Sequence, residues 1–236
     1  MDVEQLGREI TSRIMPDSAP ATGWWILLAL GVALAAVGLP PLWRPARLAV
    51  TIVHELGHAV IGMLMGRRFT GFVVSADMSG HAVTVGPRRG LGRVASTWAG
   101  YPAPAIVGAV LVQISLHGWA RTALFVALVV LVLSLVFTRS LHTLAAVLGT
   151  AVGVGALWWW GSPALAALLT LAAGVFLLLG AWRHLGAVIR RGGRADDPAQ
   201  LAQLTPLPAW GWLLSFALVL GACSWWVVAT LASLNA

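Results

Sequence analysis

Long apolar runs and short polar links alternate along the chain, and one stretch breaks that rhythm. The apolar runs fall at residues 24–43, 48–65, 94–116, 120–137, 141–160, 163–182 and 210–232. Each approaches the roughly 20 residues that cross a bilayer core as a helix. The pattern therefore predicts an all-α polytopic membrane protein with about seven transmembrane helices. Trp24 and Trp43 flank the first run as interface anchors, and Pro40-Pro41 break its end. The third run is interrupted by Gly100-Tyr101-Pro102-Ala103-Pro104. That segment predicts a kink, which is tolerated at membrane depth only where protein or a wet cavity covers the backbone. The exception to the rhythm is residues 69–87. Phe72-Val73-Val74 and His81-Ala82-Val83-Thr84-Val85 flank a turn at Asp77-Met78-Ser79-Gly80. Two β-type runs around a glycine-containing turn predict a short cytoplasmic hairpin. Its edge is suited to taking up an extended substrate strand. Residues 1–22 are polar and lack the basic-then-apolar layout of a leader, so they are expected to stay in the cytoplasm. Residues 23–236 then form a single integral-membrane domain.

Charge fixes the expected orientation. The net charge of +7 comes from fifteen arginines, with no lysine. So basic a chain invites a nucleic-acid reading, but the arginines sit in short links between apolar runs, where the positive-inside rule explains them. With seven spans, Arg8, Arg13, Arg67, Arg68, Arg88, Arg89, Arg93, Arg139, Arg183, Arg190, Arg191 and Arg194 share one side. Arg44, Arg47 and Arg121 take the other. Twelve against three places the N-terminus, the hairpin and the Asp196-Asp197 loop in the cytoplasm. The bilayer is the expected partner and nucleic acid is not. An arginine-only, Ala/Gly/Val/Leu-rich usage suggests a GC-rich bacterial genome, and the expected location is then the bacterial inner membrane. The single cysteine, Cys223, excludes a disulfide framework and a Cys-type zinc site.

The chemistry lies in the second run, at His54-Glu55-Leu56-Gly57-His58. Residues i and i+4 share a helix face, so both histidines can offer a ring nitrogen to one metal ion. Glu55 lies about 100° around the helix, where it reaches a water held by the metal rather than the metal itself. A carboxylate so placed can act as general base in zinc-assisted hydrolysis. Ionisable groups within an apolar span are costly and mark function. The competing reading, a polar cluster tying helices together, needs no such spacing. A catalytic zinc usually takes three protein ligands. His117 falls on the wrong side, His142 and His184 lie at span ends, and Asp77 sits in the predicted turn. Asp196 and Asp197 are the best acidic pair on the correct side. Followed by Pro198, they can equally start a helix at residues 199–204.

The V-x-H-E-x-G-H-A motif inside an apolar run resembles that of site-2 proteases, the M50 zinc metallopeptidases, and especially their small bacterial M50B-like members. The resemblance covers about residues 48–104. It implies His54 and His58 as zinc ligands, Glu55 as general base and a distant aspartate as third ligand. Asp197 is preferred because its Asp-Pro-Ala-Gln-Leu continuation is similar to an Asp-Ala-containing stretch of these relatives; Asp196 is the alternative. Gly100-Tyr101-Pro102 occupies a region like the family's Gly-Pro stretch, which makes Gly100 and Tyr101 candidates for substrate binding. Many relatives place an Asn-Pro element before Asp-Gly, whereas this chain has Pro198 after Asp197 and only one asparagine, Asn235. The implied function is a zinc-dependent intramembrane endopeptidase that cuts a transmembrane protein near its cytoplasmic end. A catalytically silent membrane-protein binder or chaperone on the same fold is the alternative, although binding needs no general base. A metal transporter would need polar ligands on several spans, and the later runs offer few.

Overall fold

The computed structural model describes residues 2–16, 23–75, 80–191 and 196–234, among which ten helices and two strands form. Helix α1 (Val3–Ile14) precedes α2 (Trp24–Gly38) and α3 (Pro40–Leu64). Strands β1 (Arg68–Val74) and β2 (Gly80–Val85) form an antiparallel hairpin. Then follow α4 (Leu91–Ala99), α5 (Pro102–Leu116), α6 (Ala120–Leu135), α7 (Leu141–Trp160), α8 (Pro163–Arg190), α9 (Asp197–Leu204) and α10 (Ala209–Ser233). Four helices, α3, α7, α8 and α10, are long and apolar enough to cross a membrane, and the bent pair α4–α5 makes a fifth. At 15 and 16 residues, α2 and α6 are apolar but shorter.

Helix α8 is the centre of the bundle: 72% of its apolar window is buried, against 17% for α10 at the periphery. Helix α5 lies antiparallel beside it. Ser115 donates to the Ala167 carbonyl at 2.7 Å, and Gly108 meets Gly174 so closely that a side chain on either would strike backbone. Small residues permit such an approach where lipid supplies no hydrophobic driving force. The expected kink is present. Helices α4 and α5 meet at Gly100-Tyr101 with a 58° bend, because Pro102 and Pro104 offer no N–H to the carbonyls of the preceding turn.

Two expectations are corrected. The prolines at 40 and 41 start α3 instead of ending the run before it: Leu39 is the N-cap and the prolines occupy the first helical positions, where a missing N–H costs nothing. Arg44 and Arg47 therefore belong to the first turns of α3. The second correction concerns sides. The link between α6 and α7 sits at the hairpin, where Phe72 donates to the Phe137 carbonyl at 2.9 Å and accepts from Arg139 N–H at 3.1 Å. The other ends of α6 and α7 meet through Arg121 and the Gly161 carbonyl, 2.9 Å apart. Helix α1 docks at this far end. Thr122 donates to the Ile14 carbonyl at 2.5 Å, and the Arg13 guanidinium lies 5.0 Å over the Trp159 ring. Helix α1 and the hairpin thus occupy opposite ends of the bundle, whereas one shared side was expected. Helix α2 returns to the hairpin end, where Arg183 donates to the Val37 carbonyl. Both ends of α3 lie there as well: Trp43 sits under Arg183, and the Met65 carbonyl lies beside Gly92. The motif helix, expected as a through-running span, starts and finishes at the same end.

Candidate metal centre

Helix α3 carries His54 and His58 one turn apart, and α9 brings Asp197 to them from across the chain. His54 Nε2 lies 3.1 Å from His58 Nε2, and Asp197 Oδ2 lies 3.3 Å from both nitrogens. Zinc bonds of 2.0–2.1 Å in a tetrahedral site would separate ligand atoms by about 3.3 Å. These three atoms therefore already stand at the spacing that a zinc ion requires.

Three further observations fit a cation at their centre. His58 Nδ1 lies 2.7 Å from the Ser96 carbonyl, which can only accept, so Nδ1 carries the proton. With Nδ1 committed to that carbonyl, Nε2 is the nitrogen left to face the carboxylate, and a neutral ring there would offer its lone pair to a metal ion. Asp197 Oδ2 is buried, makes no hydrogen bond among the described residues and faces the two imidazoles at 3.3 Å, where a cation between them would balance its charge. Finally, a Cβ on Gly100 would lie 2.7 Å from His54 Nε2 and press on the His58 ring. Only glycine leaves the two imidazoles room to face one point.

Glu55 is 4% exposed and shares a cavity of about 330 Å³ with the three ligand candidates. His81, Arg93, Tyr101, Asp196 and Gln200 also line it. Gly80 lies against the Glu55 carboxylate, and a Cβ there would come within 2.7 Å of Cδ. The Tyr101 ring stands edge-on to His54 at 4.9 Å and stacks on Phe216 at 5.0 Å.

The other sequence candidates lie elsewhere. Asp196 takes the N-cap position of α9, without a side-chain cap bond, and lines the cavity outside the ligand group. Asp77 falls outside the described residues. His184 packs on Trp43, His142 faces the Val74 carbonyl at 3.1 Å, and His117 faces the Gln113 carbonyl at 2.7 Å. Sequence reasoning missed Ser96 and Gly80. Ser96 orients His58 through a backbone carbonyl, which leaves no trace in residue type. Gly80 carried only a turn signal.

Fold and site together define a helical membrane protein with a His-His-Asp group able to hold a metal ion. The chain belongs to the peptidase M50B-like family, whose sequence model matches residues 27–227. Comparison with curated proteins and with solved structures finds no match.

Proposed function

We propose that the chain is a zinc-dependent intramembrane endopeptidase that cleaves a transmembrane segment of another membrane protein near its cytoplasmic end. The observation that carries this reading is the convergence of the His54, His58 and Asp197 ligand atoms within 4.8 Å of one another, beside the buried Glu55 carboxylate. Two imidazoles and one carboxylate suit zinc and leave a coordination position open. Bound there, the ion supplies Lewis acidity toward the scissile carbonyl and lowers the pKa of water. Glu55 accepts the proton of the attacking water and returns it to the leaving amine. Ser96 holds the His58 ring in register, and Gly80 leaves the Glu55 carboxylate its place. Tyr101, in the cavity wall beside His54, orients the substrate chain.

The substrate lies along β2. Strand β1 is covered on both edges, by β2 and by residues 137–139, so β2 offers the only open edge of the described hairpin. Phe72 turns its N–H and carbonyl toward Phe137 and Arg139, so its partner Ala82 turns its own away from β1, toward the free edge. A substrate strand added there runs beside the cavity.

Arginine placement supports a cytoplasmic site in a bacterial inner membrane. Among the described arginines, Arg44, Arg47, Arg67, Arg68, Arg88, Arg89, Arg93, Arg139, Arg183, Arg190 and Arg191 gather at the hairpin end, and Arg8, Arg13 and Arg121 lie at the far end. Eleven against three supports a metal centre toward the cytoplasm with α1 on the opposite face. Helices α2, α5, α6, α7, α8 and α10 make six crossings in this arrangement, and the helices from α2 to α10 act as one integral-membrane unit.

Replacing Glu55 by Gln tests the mechanism. The variant keeps its zinc and loses cleavage of a reconstituted transmembrane substrate by about a hundredfold or more. Cleavage at the wild-type rate would overturn the assignment of the base. A catalytically silent binder would need no such carboxylate in the cavity.

A further inference from the structure

A second cavity, about 360 Å³, adjoins the first and shares Thr84 and Arg93 with it. Arg67, Arg88 and Arg93 surround it, with Val85 and Gly86 completing the wall. Arg67 is 6% exposed. Its Nε donates to Thr84 Oγ1 at 3.1 Å, Nη1 to the Pro87 carbonyl at 2.7 Å and Nη2 to the Thr84 carbonyl at 3.2 Å. Arg93 donates to Gln200 Oε1 at 3.2 Å. Every one of these acceptors is neutral, and none of the ion pairs among the described residues involves Arg67, Arg88 or Arg93. Burial first, and then the charge of Arg93, lowers the pKa of Arg67. Three like charges around one space repel one another, and an anion between them reverses that balance. Guanidinium forks match phosphate oxygens two at a time.

Val85 lines this cavity, Met65 lies against Gly92, and Leu64 and Leu91 are their chain neighbours; all four are exposed apolar side chains. Leu64 is 76% exposed, Met65 45%, Val85 53% and Leu91 80%. Bare apolar side chains interleaved with arginines at the end of a helical bundle describe a membrane interface, with hydrocarbon on one side and headgroups on the other.

We propose that Arg67, Arg88 and Arg93 hold the phosphate of an anionic phospholipid headgroup beside the metal centre, its acyl chains covering Leu64, Met65, Val85 and Leu91. The lipid pins the hairpin to the membrane surface, because Arg67 joins α3 to β1 and Thr84 belongs to β2. This site stands whether or not the metal centre hydrolyses peptides.

The test titrates the detergent-purified full chain with short-chain phosphatidylglycerol, matched phosphatidylcholine and inorganic phosphate, reading bound lipid by native mass spectrometry. Arg67 is left intact so that the hairpin keeps its three hydrogen bonds. An R88Q/R93Q double variant weakens phosphatidylglycerol by about thirtyfold, the effect of two basic residues at an anionic surface, while the charge-matched R68Q/R89Q variant stays within about threefold. Equal weakening in both doubles would reduce the effect to general surface charge and overturn the site. So would phosphatidylcholine binding as tightly as phosphatidylglycerol. Inorganic phosphate binding as tightly as phosphatidylglycerol would overturn the lipid as its source.

Discussion

Gly100 and Gly80 work on the same cavity, and their replacement should fail in different ways. A methyl group on Gly100 displaces the imidazoles of His54 and His58, so G100A is expected to lower zinc affinity about 10- to 100-fold. On Gly80 the same methyl meets the Glu55 carboxylate, so G80A should keep zinc and lose about a hundredfold in cleavage, the cost of a small misplacement of the base. Zinc content and cleavage rate, measured on both variants, separate the two effects. Zinc lost equally from both would contradict the distinction. At this scale the motif was fully legible, since the i,i+4 spacing of His54 and His58 is a property of any helix. Asp197 was not separable from Asp196 by composition or spacing. Both stand at the start of α9, and which of them turns inward depends on how that helix lies across α3.

The hairpin shows how far local pattern reaches. Its two strands follow from β-type runs on either side of a glycine turn, and they form where expected. Coverage of β1 by residues 137–139 has no counterpart in the pattern, because it joins segments 65 residues apart in sequence through Phe72 and Phe137. That pairing leaves the Ala82 backbone turned to the free edge of β2, where the proposed substrate strand would add. Proline at 82 removes an outward N–H without touching the β1 ladder. A82P is therefore expected to keep fold and zinc while lowering substrate cleavage by about three- to tenfold, the loss of one backbone hydrogen bond. Unchanged cleavage would exclude strand addition at that edge. The boundary between α2 and α3 was misplaced for a related reason. Pro40-Pro41 reads equally well as the end of one helix or the start of the next, and only the N-cap at Leu39 decides.

Across the whole molecule, the apolar runs were legible but the sides they connect were not. The arginine count assumed that every run crosses, whereas α3 begins and ends at the hairpin end while α1 docks at the other. Single cysteines in a Cys223→Ser background, probed with a membrane-impermeant thiol reagent, test this arrangement. Cysteines at Ser12 and Ser162 should label from one side of the membrane and a cysteine at Arg89 from the other; Ser12 and Arg89 labelling together would restore the seven-span layout. The metal centre itself is a whole-molecule feature, since it joins α3 to α9 across some 140 residues of chain. Its most direct test is the zinc retained by detergent-purified protein after mild chelation. Wild type should hold about one zinc per chain, as should Glu55→Gln, Asp196→Ala and Asp77→Ala, while His54→Ala and Asp197→Ala should lose it. Zinc kept by Asp197→Ala as firmly as by wild type, and lost from Asp196→Ala or Asp77→Ala, would contradict the centre described here.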